Sequence, residues 1–440
     1  MLEDRNLKVY NSMTNKIEDF VPMHPGKVSM YVCGPTVYNY IHIGNARPAI
    51  FFDTVYRYFL MSGYDVNYIS NFTDIDDKII DRAIEEGVSE FEITKKYIDA
   101  YNEDIKNLNC LPVSIRCKVT DYMNEIAEFI DELVEKKFAY KSGSDVYFDV
   151  TKLDDYGKLS NNNIDDLNAG DRVAINQQKK HPADFTLWKE TNKGIVFDSS
   201  NGKGRPGWHT ECVVMIKSLT EGKVDIHGGG QDLCFPHHEN EIAQSVAHDN
   251  TSLANYWIHN RMLNLNNDNM SKSVGNILLV KDILKTCDSN TFRLALLQTH
   301  YRSIINFNDE LLEVSAKLNE KFLNVFMKLE LEKQLKETEI NESTEEYFKF
   351  LEDDFNTPNL ITYLLDLTKK INSALRNKGE VLEYYKDFMN TCYLLGLNYK
   401  YINLSENDKK LYYMWEEARD NKDYDTADKH REALESRGII

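Results

Sequence analysis

Proline and glycine are scarce in this 440-residue chain, at 9 and 20, which excludes collagen-like and low-complexity architectures. Long apolar stretches are lacking too. No run approaches the roughly 18 uninterrupted apolar residues of a membrane helix, so a soluble protein with no membrane partner is expected. Cysteine is sparse and odd in number, with 7 scattered positions, so the pattern is not that of a disulfide framework. Met1-Leu2-Glu3-Asp4-Arg5 carries acids with no apolar core behind it, which argues against a secretory signal. A cytoplasmic location is expected, with any paired thiols in a metal site. Positive charge is in deficit as well: 52 Lys and Arg face 71 Asp and Glu, a formal net charge of −19. A generally basic nucleic-acid-binding body is excluded, so any RNA must be held by local basic patches on an acidic protein.

The length implies two to four domains, at about 150 residues per domain. In the first third, strand and helix alternate. Lys27–Val32 reads as a buried strand, and Ala49, Phe52, Tyr56 and Phe59 recur at helical spacing before Gly63. A strand over 65–70 and helices over 76–86 and 89–108 follow, which makes a βαβ unit and predicts a parallel sheet. From about 118 to 205 a helix over 121–137 leads into short polar segments, the pattern of an insertion. The βα pattern resumes with a helix near 208–219, a strand at 224–227 and a helix from about Pro236. Beyond about 305 the chain reads as helical. Leu311, Ser315, Leu318, Phe322, Val325 and Leu329 make one stripe, and Leu360, Leu364, Leu367, Ile371 and Leu375 another. Ser405 with Asp408 caps a further helix, and Gly438 ends the last.

Chemistry is expected where strands end, because loops and helix N-termini converge there. The first strand delivers Cys33-Gly34-Pro35-Thr36, then His42-Ile43-Gly44-Asn45 at a helix start. Gly44 admits a close ligand, free N–H groups face an anion, and His42 lies beside it. Some 230 residues later, Asn269-Met270-Ser271-Lys272-Ser273 offers a lysine able to neutralise charge on a leaving pyrophosphate. His237 and Glu241 lie four apart at a helix start and so share a face. Cys33 and Cys212 are thiols of the right type for Zn²⁺ beside them, although no C-x-x-C fixes the set and buried free thiols are the alternative. Gly228–Gly230 and Asp232 sit at another strand end, suited to adenine and ribose or to a tight turn.

The segments around 42–45 and 269–273 resemble the two signature motifs of class I aminoacyl-tRNA synthetases, with Asn45 and Asn269 in place of the usual His and Lys. Longer strings narrow the resemblance to cysteinyl-tRNA synthetases. They are Cys33–Tyr38, Asn71-Phe72-Thr73-Asp74-Ile75-Asp76-Asp77-Lys78, Gly204–Cys212, Ile226–Asp232 and Phe235–Glu241. This likeness runs in order across residues 8–310 and continues more loosely to 421–428.

The resemblance implies an α/β protein: a Rossmann-like parallel-sheet catalytic domain with an inserted connective subdomain, then an all-α C-terminal bundle. The expected domains are 1–315, with an insertion at about 118–205 and a signature-loop region at about 260–305, then a bundle at 316–404 and a tRNA- and anticodon-binding segment at 405–440. It further implies an ATP-dependent ligase joining cysteine to tRNA(Cys) through a cysteinyl-adenylate, with Mg²⁺ accompanying ATP. Cys33, Cys212, His237 and Glu241 would hold one Zn²⁺ per chain. His42 and Lys272 would be catalytic, and Thr36, His42, Gly44, Asn45, Gly230, Asp232 and Lys272 would bind ATP. Thr73, Trp208 and His227 would line the cysteine pocket. A monomer is expected. Cys234, Cys110, Cys117, Cys287 and Cys392 read as packing. Two rivals stay open at this point: a ligase that joins activated cysteine to a small amino-sugar acceptor, and a non-enzymatic zinc- or nucleotide-binding relative.

Overall fold

The strand expected over 27–32 forms as β3 (Lys27–Val32) in a computed structural model that describes residues 5–162, 178–266, 268–269, 277–336 and 340–440. It is the central strand of a parallel sheet ordered β12-β11-β3-β4-β5, where β4 is Asp65–Phe72, β5 Ile115–Lys118, β11 Val224–Gly230 and β12 Ala254–Asn260. The chain runs outward from β3 through helix α1 (Ile43–Met61) to β4, then through α2 (Asp77–Glu86) and α3 (Glu90–Asn107) to β5. It later returns to the other side of β3 through α5 (Trp208–Leu219), β11, α6 (Glu239–Asp249) and β12. The strand order therefore reverses between β3 and β11, and a crevice opens at their carboxyl ends.

Several expectations extend or shift. The strand at 224–227 continues to Gly230, so the three glycines lie within β11. A Cβ on Gly228 would lie 2.2 Å from the Phe52 ring, so α1 packs this closely only against a bare backbone. The helix expected from Pro236 begins at Glu239, because Phe235 has extended φ/ψ and interrupts the turn Cys234–His238. The insertion holds α4 (Met123–Glu135) and a five-stranded antiparallel sheet, ordered β6-β7-β8-β10-β9. These strands are β6 (Ala139–Ser142), β7 (Asp145–Phe148), β8 (Phe185–Glu190), β9 (Phe197–Ser199) and β10 (Gly202–Pro206). Val146, Phe148, Phe185, Leu187 and Trp188 supply its buried face. An N-terminal hairpin, β1 (Lys8–Asn11) with β2 (Lys16–Asp19), was also unsignalled.

A small sheet, β14-β13-β15, lies beyond β12, with β13 at Leu263–Leu265, β14 at Asp268–Asn269 and β15 at Ile305–Phe307. Buried Arg47 on α1 donates to the carbonyls of Arg261, Met262, Tyr301 and Ser303 at 2.5–3.3 Å. The start of α1 and the chain entering β13 are thereby held together.

Two compact units divide the chain. One comprises Met1–Thr286, His300–Phe307 and Glu352–Phe355; the other comprises Cys287–Thr299, Asn308–Leu351 and Asn356–Ile440. The second is helical, and most of each stripe expected there is buried: Ser315, Leu318, Phe322, Val325 and Leu329 on Asp309–Lys336, and Leu360, Leu364, Leu367 and Ile371 on Thr357–Arg376, whereas Leu311 and Leu375 at the stripe ends are half-buried. Ser405 Oγ accepts from the Asp408 N–H at 3.2 Å and caps Glu406–Asp420, while Gly438 (φ 68°) follows Tyr424–Ser436. Among the described residues no helix is long and apolar enough to cross a membrane.

The tightest point of the sheet generates a prediction. A Cβ on Gly34 would lie 1.7 Å from the Asn71 carbonyl oxygen, a backbone atom that cannot swing aside. Gly34→Ala must push the ends of β3 and β4 apart, and should cost about 1–3 kcal/mol in urea unfolding while displacing Cys33. An unchanged unfolding midpoint would show that the two ends separate freely.

Candidate active site and metal centre

The switch point holds a cavity of about 360 Å³. Its walls include Cys33, Thr36, His42, Gly44, Asn45, Trp208, Gly230 and Asp232. His42 is the N-cap residue of α1, and Asn45 Oδ1 accepts its backbone N–H at 3.2 Å. The side chain standing where the motif has a second His thus serves the helix start. The backbone at 278–280 returns onto the same spot: Ile43 donates to the Leu278 carbonyl and Val280 to that of Ile41, both at 3.0 Å. Lys272 lies outside the described residues. Asn269 pairs its backbone with Asn264 across β14 and β13.

Beneath the cavity the four donors named from the sequence converge. Cys33 follows β3, Cys212 lies in α5, and His237 and Glu241 bracket the start of α6. Cys33 Sγ stands 3.7 Å from Cys212 Sγ and 3.8 Å from Glu241 Oε1. His237 Nε2 is 3.7 Å from Cys212 Sγ and 2.9 Å from Glu241 Oε1. An ion with tetrahedral bonds of about 2.0–2.3 Å separates its donors by about 3.3–3.8 Å, so the set fits a divalent cation of that kind. Three of the four are buried and Cys33 is half-buried.

Electrostatics sharpen the fit. Burial works against a protonated His237, but Glu241 outweighs it and lifts the imidazole to about 10. Burial alone would raise the Glu241 carboxyl, yet His237 and His227 hold it well below the usual range. Burial pushes the Cys33 thiol up to about 11, and burial with Cys33 beside it raises Cys212 further. His237 Nδ1 meets His209 Nδ1 at 3.0 Å, and burial followed by the His237 charge depresses His209 to about 3. A neutral His209 therefore accepts from His237 and fixes which nitrogen faces the thiols.

The residues assigned to a cysteine pocket occupy three different settings. Trp208, 39% exposed, stacks on the His237 ring at 4.2 Å, one turn before Cys212. Thr73 is buried and donates to Glu211 Oε2 at 3.0 Å, so its hydroxyl acts on Glu211, whose carboxyl burial keeps well above its ordinary range. His227 is fully buried, with Nε2 3.5 Å from Cys33 Sγ and 3.1 Å from Glu241 Oε2. Sequence reasoning missed His209, His238 and His259. His238 Nδ1 meets His259 Nε2 at 2.8 Å, and His259 Nδ1 meets Ser12 Oγ at 2.8 Å. The pair His237-His238 was the available signal, but only the fold brings Ser12 and His259 to it. Cys234 is buried with its thiol toward the Leu159 carbonyl, 3.9 Å away.

Comparison with known proteins gives a consistent result. Residues 19–317 match the tRNA synthetases class I (C) catalytic domain, and 346–400 match the DALR domain. The chain is 47% identical over 453 residues to the cysteine–tRNA ligase of Staphylococcus carnosus (strain TM300), covering 99% of this chain and 97% of that one. It is 46% identical over 452 residues to the cysteine–tRNA ligase of Staphylococcus aureus (strain MSSA476), with the same coverages. In fold it is similar to a Mycobacterium tuberculosis methionyl-tRNA synthetase bound by methionyl-adenylate, with TM-score 0.56, 13% identity and coverage of 83% and 82%. The Agrobacterium radiobacter K84 LeuRS–tRNA–LeuAMS ternary complex is similar at TM-score 0.62, 12% identity and coverage of 86% and 84%.

Metal binding must displace the protons held by Cys33, Cys212 and His237, so affinity should climb with pH. Below about pH 9 roughly three protons should leave per ion bound, measured by calorimetry in buffers of different ionisation enthalpy. A pH-independent affinity would exclude this donor set. Cys33→Ala should abolish binding of the metal.

Proposed function

The chain belongs to the cysteine–tRNA ligase family of class I synthetases and charges tRNA with cysteine, and from that premise we propose how its residues divide the work. The observation that carries the reading is the convergence of Cys33, Cys212, His237 and Glu241 under the cavity at the sheet's switch point. A zinc ion held by these four would supply a soft Lewis acid for the substrate thiolate, where a pocket reading size alone gives only about 1–3 kcal/mol against a near-isostere such as serine. Trp208 stacks on His237 and forms the wall beside the bound cysteine. His227 closes the floor. Thr73 acts one step removed, by holding Glu211.

ATP lies along the start of α1. Thr36, Gly44 and Asn45 bring backbone and side-chain groups to it, Gly230 and Asp232 receive the ribose, and Mg²⁺ accompanies the phosphates. The cysteine carboxylate attacks the α-phosphorus and pyrophosphate leaves. His42 donates to phosphate oxygen, and Lys272 meets the charge that grows on the leaving group. The tRNA's terminal ribose then takes the cysteinyl group. Pro35–Thr36 and Thr73 are tied through the Val37 N–H to Thr73 carbonyl and Thr73 N–H to Pro35 carbonyl bonds, both 3.2 Å, so substrate and ATP walls share one rigid link. The near full-length match to cysteine–tRNA ligases does not favour a small amino-sugar acceptor. Residues 316–404 form the bundle and 405–440 the anticodon-binding segment of a cytoplasmic monomer.

Cysteine-dependent exchange of pyrophosphate into ATP, followed by charging of purified tRNA, tests the whole reading, and absence of either reaction overturns it. Lys272→Ala should depress kcat for exchange at least 100-fold with little change in cysteine KM, because its charge acts in the transition state. Equal losses in both constants would remove Lys272 from the phosphates.

For the tRNA, segment 405–437 carries ten acids against seven bases, so contact must be local. Tyr412, Leu434 and Ile439 pack with Leu331, so truncation would bare a core. Lys410→Glu with Lys422→Glu and Lys429→Glu is the cleaner change. It should weaken tRNA charging, most strongly at low salt, and leave exchange untouched. Charging that holds at its original rate would move the contact elsewhere.

A further inference from the structure

Cys33 and Glu241 belong to two donor sets. The first adds Cys212 and His237; the second adds His227 and His238. In the second, Cys33 Sγ stands 3.5 Å from His227 Nε2, 3.4 Å from His238 Nε2 and 3.8 Å from Glu241 Oε1, and His227 Nε2 lies 3.1 Å from Glu241 Oε2. The three separations to Cys33 sulfur match the same tetrahedral edges, and the His227–Glu241 separation is that of a hydrogen bond, as His237–Glu241 is in the first set. In each set all donor atoms lie within 4.8 Å of one another, and no single set contains all six residues. One ion therefore does not gather them all.

One imidazole of the second set has the outer support typical of a metal-binding histidine. His238 turns Nε2 to Cys33 while its Nδ1 meets His259, which in turn meets Ser12, so the ring is held by a chain of two 2.8 Å bonds. His227 is clamped between the Trp257 ring, stacked at 4.4 Å, and Tyr31, and its Nδ1 is buried with no hydrogen-bond partner. Its Nε2 makes the ring's polar contacts, with Glu241 Oε2 and Cys33 Sγ, and the packing of Trp257 and Tyr31 holds its plane.

We propose that the centre has a second coordination position for a borderline divalent cation, formed by Cys33, His227, His238 and Glu241 and mutually exclusive with the first. One sulfur and two imidazoles make it poorer in thiolate than the first, which suits Co²⁺ or Zn²⁺ over softer ions. An ion held there leaves Cys212 free and lies off the pair that the proposed function uses for the substrate thiol, so it is a resting or misplaced position. The inference uses that reading only to name the first position.

The test is cobalt binding to the full chain, followed by its visible spectrum. The unmodified protein should bind one Co²⁺ with the charge-transfer absorbance of two thiolates. Cys212→Ala/His237→Ala removes both donors unique to the first position and should still bind one Co²⁺, with roughly half that absorbance. Adding His238→Ala should then weaken binding by more than the about 10–100-fold usual for losing an outer-shell partner. A double variant that is folded by circular dichroism yet binds no cobalt overturns the second position and leaves the first intact. Cobalt that survives His238→Ala also overturns it. If the double variant fails to fold, Cys212→Ser and Cys212→Ser/His238→Ala replace it, and equal cobalt affinity in the two is the overturning result. An unmodified protein that binds no cobalt overturns both positions.

Discussion

One buried carboxylate, Glu241, sets the terms for everything around it. Its side chain has no solvent exposure, and an unpaired ion at such a depth costs several kcal/mol. It persists as a charge because His237 lies 2.9 Å from one oxygen and His227 3.1 Å from the other. Those imidazoles come from α6's approach and from β11, so the charge requires both elements in register. The same requirement reaches Cys33, whose backbone N–H donates to the Gly228 carbonyl at 3.2 Å and so carries the β3–β11 pairing one residue past the strand. A cation bound in the cluster, as proposed, would replace the protons of His237 and the thiols with a charge that the four donors share, and so would offset the cost of the buried arrangement.

The sheet supplies that register because of where its order reverses. β3 pairs with β11 on one side and β4 on the other, and the loops leaving β3 and β11 must diverge. Into the gap come a helix N-terminus from α1 and the bare backbone of Gly228–Gly230. Phe52 packs where a side chain at 228 would be, so the helix that presents His42 sits as close to the sheet as an aromatic ring permits. The start of α1 and the donor cluster are thus separated by one strand end. Arg47 extends the same logic sideways: a charge buried with only carbonyl dipoles for company ties α1 to the chain on either side of β13 and β15.

Much of this was legible in sequence where the local signal was long and the element stood alone. Lys27–Val32, the α2 and α3 helices, the Ser405 cap and both helical stripes of the second unit follow from periodicity and capping. The antiparallel sheet of the insertion was hidden because its strands are three to six residues long, too short for an alternation to outweigh polar neighbours. β12 escaped for a different reason. Buried on both faces, Ala254–Asn260 shows no alternation to read. At the site, the i,i+4 pair His237 and Glu241 was visible as a helix face, but Cys33 and Cys212 joined it only through the likeness to a known family. His259 carried no pattern at all, since it meets His238 across 21 residues by way of a strand and a helix.

The crowd of imidazoles below the cavity has a cost that bears on how the enzyme selects its substrate. Burial holds His209, His238 and His259 neutral, the first and last at about 3, while the Glu241 carboxylate keeps His237 protonated despite its burial. Neutral rings are polarisable and offer no charged donor. A hydroxyl placed there finds few partners to replace its hydration, whereas a thiol gives up little on leaving water. On the proposed function, discrimination against serine would have two sources that act in the same direction: what the donor set attracts and what the surrounding rings fail to offer. The second is a property of the fold alone, and it explains why a protein would keep five histidines within ring contact of one another around a single carboxylate.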